Sequence, residues 1–196
     1  MKIKEYEYKY LFEKNDFKEL NDKIKRKWIL CKNFIQINFY YDTDDFLLNS
    51  MNMTLRARQK ENKLYIQYKK SLKKGLYTES LESEKEEMDE LPAKIPLPEY
   101  GIEAWLKGST VTERTVFDYG SRGFVIMLDC NYYLGIIDYE LELEFIPGAE
   151  KQALSELDAL GLHKKEPYRK GKASRFFEQY KKIYIESRDM QKKFFY

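Results

Sequence analysis

Glu5-Tyr6-Glu7-Tyr8-Lys9 puts two carboxylates and an ammonium at every second position near the start of the chain. In a strand, successive side chains point to opposite faces. Ile3, Glu5, Glu7, Lys9 and Leu11 then share one face, and Tyr6, Tyr8, Tyr10 and Phe12 the other. Tyr139-Glu140-Leu141-Glu142-Leu143-Glu144-Phe145 repeats the pattern, with carboxylates on one face and apolar residues on the other. Leu55-Arg56-Ala57-Arg58 supplies positive charge at the same spacing. Charge alternating with apolar residues describes any sheet with one wet face, and pairing across that face accounts for opposite signs. Three such segments in one chain point further, to a sheet face that grips something ionic.

The elements that must position these residues follow from the periodicity. Ile3–Phe12 reads as a strand. Phe17, Leu20, Ile24 and Trp28 fit the helical period after a cap at Asn15 or Asp16. Phe34–Asp42 is rich in aromatic and β-branched residues and reads as a strand, with a turn at Asp42-Thr43-Asp44-Asp45. Thr54–Gln59 and Leu64–Ser71 form a hairpin, and a strand is expected over Leu76–Leu81. The acidic run Glu82–Glu90, followed by Pro92, Pro96 and Pro98, reads as a solvated helix or loop. Val111–Asp118 and Phe124–Cys130 form a second hairpin across Gly120-Ser121-Arg122-Gly123, and Ile136–Phe145 a further strand. A helix over 149–160 carries Leu154, Leu157 and Leu160 on one side and stops at Gly161; a last helix runs from about Lys172 toward Glu186. Strands in runs with interspersed helices give an α+β class rather than alternating βαβ units.

Composition narrows the function classes. The 196 residues fit one domain or two small ones. Net charge is only +2, from 35 basic and 33 acidic residues, so no global excess points to nucleic acid or an anionic membrane. No apolar run reaches membrane-span length, and the charged N-terminus reads directly into a strand with no signal peptide. Cys31 and Cys130 lie among apolar residues and read as small packed hydrophobes; they have no metal spacing and form no disulfide framework, so a reducing cytoplasm is the expected compartment. The lone His163 follows a helix end and reads as a surface or capping residue, which leaves neither a His-based triad nor a zinc cluster.

Taken strand by strand, the inward-facing candidates are Glu5, Glu7, Lys9, Arg56, Arg58, Lys69, Glu79, Arg114, Asp129, Glu140 and Glu142, with Lys170 or Lys172 closing the set. Six bases and six acids buried together must be cross-paired or loaded with ligand. Two divalent cations held by the carboxylates would leave the lumen at about +4. A triphosphate carries roughly −4 to −5 and would nearly neutralise it. Arg and Lys at several heights match successive phosphates. Carboxylates at alternate positions suit Mg²⁺ or Mn²⁺.

These residues, in this order, resemble the CYTH superfamily, also called triphosphate tunnel metalloenzymes. Glu5-Tyr6-Glu7-Tyr8-Lys9 matches the family's Glu-x-Glu-x-Lys signature at its usual place. Gln36–Thr43 looks like the second block, and Arg56, Arg58 and Lys69 like the third; Glu113-Arg114, Asp129 and Glu140-Leu141-Glu142 follow in family order. The resemblance spans Glu5 to about Phe177. It implies an eight-stranded antiparallel β-barrel with a charged lumen and flanking helices, a single domain over 1–186 and a C-terminal tail over 187–196. It implies phosphate binding by Lys9, Arg56, Arg58, Lys69, Arg114 and Lys172. Mg²⁺ or Mn²⁺ would be held by Glu5, Glu7, Asp129, Glu140 and Glu142. Glu5, Glu7, Lys9 and Glu79 would take the catalytic roles, Glu79 as a metal-site or water-orienting residue. The family's Lys-x-Arg before the later hairpin is Thr112-Glu113-Arg114 here, one cation short. The expected activity is metal-dependent hydrolysis of an inorganic or organic triphosphate, thiamine triphosphate included. The alternatives are a class IV adenylate cyclase, whose frequent His-Phe pair is absent from Met1-Lys2-Ile3-Lys4, and a non-catalytic polyphosphate- or nucleotide-binding module.

Overall fold

The computed structural model describes residues 2–75, 77–119, 122–162 and 164–194. Its strands are β1 (Lys2–Phe12), β2 (Lys32–Asp42), β3 (Met53–Lys60), β4 (Lys63–Lys74), β5 (Thr78–Met88), β6 (Lys94–Leu97), β7 (Ile102–Tyr119), β8 (Phe124–Tyr133) and β9 (Ile136–Phe145). Its helices are α1 (Lys14–Lys27), α2 (Leu47–Ser50), α3 (Glu150–Ala159) and α4 (Lys172–Phe194). The strands pair in the order β2-β3-β4-β5-β1-β9-β8-β7, and β7 pairs back onto β2. All these pairings are antiparallel, so eight strands close into a barrel. The short β6 pairs with the first residues of β7 as a ninth strand. An eight-stranded barrel is just wide enough for inward side chains to fill it, so the inward residue at each position decides the interior chemistry.

The apolar half of each alternating strand faces out and is covered from outside. Tyr8, Tyr10, Leu141, Leu143, Ile126 and Leu128 pack under α1 and α3 through Leu20, Ile24, Ala153 and Leu157. Glu156 ties the two helices, accepting from Trp28 Nε1 at 3.0 Å and from Lys27 Nζ at 2.8 Å. A second cluster joins Leu55, Ala57 and Ile66 to Leu48 of α2 and to Ile95 and Leu97 of β6. A third sets Phe176 and Phe177 of α4 against Tyr40 and Tyr133. There, Gly108 lies at the register shift between β2 and β7 with φ +146°, and a Cβ on it would meet the Phe176 ring at 2.9 Å. No described helix is long and apolar enough to cross a membrane.

Several expectations change. The acidic run is no solvated helix or loop: β5 continues through it to Met88, because it must bridge β1 and β4 to close the barrel. The strand expected from Leu76 begins at Thr78, and residue 76 lies outside the described residues. Lys94–Leu97 is a strand despite Pro96, as an edge allows. Glu13, not Asn15 or Asp16, occupies the N-cap of α1, without a side-chain cap bond. Leu154 is exposed and Ala153 takes its place inside. Cys31 is exposed rather than packed. Helix α4 runs past Glu186 to Phe194, so the position expected to start the tail is helical. Gly120, Ser121 and His163 lie outside the described residues.

Candidate functional site

Register sets the interior. Lys9 of β1 stands opposite Glu142 of β9, and Glu7 opposite Glu144. Leu141 and Leu143 are fully buried in the outer core, so the three alternating glutamates of β9 point inward. Across the barrel Arg56 and Arg58 of β3, Lys69 of β4, Glu82 of β5 and Arg114 of β7 line the same cavity, and Lys172, the first residue of α4, enters it at one end. Asp129 of β8 and Glu140 are wholly buried behind Lys172.

The charges form two linked groups. In the first, the Lys172 ammonium meets Asp129 at 2.8 Å, Glu140 at 2.7 Å and Glu142 at 2.8 Å. Arg114 binds Asp129 through Nε at 2.8 Å and Nη2 at 2.6 Å, and also reaches Glu142. Lys9 pairs with Glu7 at 2.8 Å and lies 3.6 Å from Glu142. In the second, Lys69 meets Glu5 at 2.6 Å and Glu7 at 3.6 Å. Arg56 donates through Nε to Gln67 at 2.9 Å and through Nη2 to Glu82. Cross-pairing of this kind lets so many buried ions coexist.

The compensation is uneven, and the uneven places are informative. Arg58 donates to the neutral Asn38 Oδ1 at 2.9 Å and makes no ion pair among the described residues. Burial, with the charges of Arg56 and Arg114, lowers its pKa to about 10. Glu144 likewise has no ion pair among the described residues, and burial, Glu142 and Glu7 raise its pKa. Glu5 is pushed up to about 7, by burial first and against the pull of Lys69, helped by its hydrogen bond with Glu82. Burial works the same way on Glu82, but Arg56, the Glu5 hydrogen bond and Lys69 outweigh it and hold that carboxyl far below its usual range. Glu142 is also held well below its range, since Lys172, Arg114 and Lys9 outweigh burial.

Two carboxylate triads share Glu142. Oxygens of Glu7, Glu142 and Glu144 lie within 4.8 Å of one another, as do those of Asp129, Glu140 and Glu142. All-oxygen sets of this kind suit hard divalent cations. The second triad is already matched by Lys172 and Arg114; the first includes Glu144, which makes no ion pair among the described residues.

Of the residues singled out from the sequence, the structure gathers Glu5, Glu7, Lys9, Arg56, Arg58, Lys69, Arg114, Asp129, Glu140, Glu142 and Lys172 in and behind one lumen. Glu79 is the exception. It stands opposite Tyr6 rather than Glu5, points outward and pairs with Lys4 at 2.9 Å. Its lumenal neighbours are Ser80 and Glu82. Reading 82–90 as a loop hid Glu82; carrying the alternation of β5 onward would have found it. Glu144 was visible as the third carboxylate of its strand. Lys172, not Lys170, enters the lumen; Lys170 is exposed and pairs with Glu178 at 2.7 Å. Thr112, at the position of the missing cation, is buried and donates to Asn131 Oδ1 at 2.7 Å. Arg175 and its partner Asp138 gave no signal, since the helix phase that aims Arg175 at β9 is fixed only by packing.

The comparisons with known proteins agree with this geometry. A Bacillus subtilis (strain 168) protein named "Putative triphosphatase YjbK" is 28% identical over 193 residues, covering 91% of this chain and 96% of that protein. A crystal structure from Bacillus halodurans described as a "putative adenylate cyclase" superposes with a TM-score of 0.68 at 24% identity, over 90% of this chain and 98% of that one. A Hippeastrum structure, described as a "putative adenylyl cyclase" that reveals a dominant triphosphatase activity, gives a TM-score of 0.66 at 21% identity, over 89% and 95%. At these identities the two structures speak for the fold. The CYTH domain family matches residues 4–177. With its closed barrel and ion-lined interior, the chain belongs to the CYTH domain family.

Proposed function

We propose that this protein is a divalent-metal-dependent triphosphatase that hydrolyses the terminal phosphoanhydride of inorganic triphosphate or of an organic triphosphate held along the lumen. The observation that carries this reading is Arg58. A lumenal guanidinium flanked by Arg56 and Arg114, with Glu82 acting on it only from a distance and no ion pair among the described residues, calls for an anion. Arginine forks suit phosphate oxygens. Lys9, Lys69, Arg114 and Lys172 would exchange part of their carboxylate contacts for phosphate contacts as the chain enters. The name of the Bacillus subtilis relative, a "Putative triphosphatase", supports the same class of reaction.

Glu7, Glu142 and Glu144 would hold a Mg²⁺ or Mn²⁺ ion, with Glu5 beside them; the oxygen donors fit, and Glu144 makes no ion pair among the described residues, with Arg114 and Lys69 acting on it only from farther away. Such an ion, when bound, supplies Lewis-acid polarisation of phosphoryl oxygens and lowers the pKa of water. The residues of the chain do the rest. Arg56, Arg58 and Arg114 offset charge that accumulates on the transferring phosphoryl group. Lys9 and Lys69, each against Glu7, keep that carboxylate ionised and in place.

The test is phosphate release from tripolyphosphate, ATP and thiamine triphosphate, each with Mg²⁺, with Mn²⁺ and with chelator, and cyclic AMP measured in the ATP arm. The expected result is metal-dependent orthophosphate release from at least one of the three and no cyclic AMP. Turnover unaffected by chelator, binding without turnover, or cyclic AMP as the ATP product would each overturn the reading.

A further inference from the structure

Arg175 lies one helical turn after Lys172, so both side chains leave the same face of α4. It is 6% exposed. Nε and Nη2 bind the two oxygens of Asp138 at 2.8 and 3.2 Å. Nη2 and Nη1 reach Glu140 at 2.8 and 3.3 Å. Nη1 also donates to the Lys170 carbonyl at 3.0 Å. Asp138 is held in turn by the Tyr133 hydroxyl and by Asn131 Nδ2, each at 2.8 Å.

One guanidinium thus stitches two consecutive inward carboxylates of β9 to the backbone just before α4. Glu140 has both oxygens engaged, by Arg175 and by Lys172. The Lys172 stem is flexible, and an ammonium is a point charge with no preferred plane. Asp129, Glu140 and Glu142 hold the ammonium once it is in the lumen, but they do not set where α4 begins.

We propose that Arg175 is a positioning residue: by clamping Asp138 and Glu140 to the start of α4, it holds the Lys172 ammonium inside the lumen. Glu140 serves in this clamp as its anchor and stands outside the set of carboxylates open to a metal ion. The alternative is that α4 is placed by Phe176 and Phe177 alone, with Arg175 an incidental ion pair.

Competitive acylation of lysines by an N-hydroxysuccinimide ester, read by mass spectrometry, separates the two without any ligand. Lys170, exposed and two residues away, is the internal reference. In the native protein Lys172 should react at least about tenfold more slowly than Lys170. In Arg175→Lys, which keeps the charge but cannot span both carboxylates, that protection should largely vanish while the circular dichroism spectrum is retained. Asp138→Asn, which removes one arm of the clamp, carries the test if Arg175→Lys does not fold, and should also deprotect Lys172. Full protection of Lys172 in a folded variant overturns the proposal.

A second arm rests on the phosphate-binding reading of the lumen. With Ca²⁺ present, Arg175→Lys should weaken tripolyphosphate binding about tenfold alone, and not at all in a Lys172→Ala background, because coupled residues are non-additive. Additive losses contradict the positioning role. If the native protein binds no tripolyphosphate, the phosphate reading fails, and the acylation result still decides the role of Arg175.

Discussion

Glu5 and Glu82 share a border of the lumen yet sit at opposite ends of the carboxylate range. Both are half-buried, but Arg56 pairs with Glu82, while Glu5 has only Lys69, which also serves Glu7. The result is a glutamate that keeps its proton up to about pH 7 in the folded protein, against 4.5 as its ordinary value. Its folded pKa is raised, so its contribution to stability is fully present below pH 4.5 and is lost as pH rises through 7. Glu5→Gln lacks this titration. In chelator-containing buffer, the native protein should therefore lose roughly 2–3 kcal/mol relative to Glu5→Gln between pH 5 and pH 8, as about 1.4 kcal/mol per pKa unit requires. Urea unfolding of both proteins across that range measures it, and a constant difference would show that Glu5 is ionised throughout. Glu5, Glu7 and Lys9 were legible in the sequence because a period of two exposes them. The shift at Glu5 was not, because it depends first on burial inside the closed barrel and then on Glu82, which comes from a strand far along the chain.

Among the elements, β9 separates structure from site most cleanly. Leu141 and Leu143 face the outer core at zero exposure, and Glu142 between them faces the lumen. Leu141→Ala and Leu143→Ala should each destabilise the protein by roughly 2–5 kcal/mol, as buried leucine truncations do. Glu142→Ala removes a carboxylate from between two others but also strips Lys172 and Arg114 of a partner. It should cost less stability than either leucine, and should abolish the melting-temperature response to Mn²⁺. Thermal unfolding of the three variants with and without Mn²⁺ tests this; a Mn²⁺ response retained in Glu142→Ala would remove Glu142 from the metal set. β9 was read from the sequence with its ends correct, since alternation and Pro147-Gly148 bound it. β5 is longer than its composition suggests, because an acidic run reads as a solvated helix or loop until a closing barrel recruits it as a strand and turns Glu82 toward Arg56. Only closure of the barrel tells the two apart, and closure is a property of all eight strands. Glu79 failed for the same reason: its strand was assigned, but a one-residue difference in facing sends a side chain to the other surface.

On the scale of the whole molecule, the barrel is a device for keeping like charges close. Its outer face is covered by α1, α3, the β6 hairpin and α4, which supply the apolar burial. That burial holds together an interior whose ions are individually costly. The family resemblance made this architecture legible from a handful of spaced residues. It named Lys172 with Lys170 left open, and it could not supply Arg175 or Asp138, which depend on how α4 docks. Among the described residues neither the Arg58 guanidinium nor the Glu144 carboxylate makes an ion pair, so a phosphate chain and a divalent ion should each improve the site for the other. Linkage makes that reciprocal. Isothermal titration of tripolyphosphate, pyrophosphate and orthophosphate, each with and without Ca²⁺, measures it directly. The account predicts affinity falling steeply in that order and a tightening of tripolyphosphate by Ca²⁺ within about 5- to 150-fold, the usual span of coupling between sites. Equal affinity for the three anions, with no change on adding Ca²⁺, would contradict a lumen built for a phosphate chain and a metal ion together.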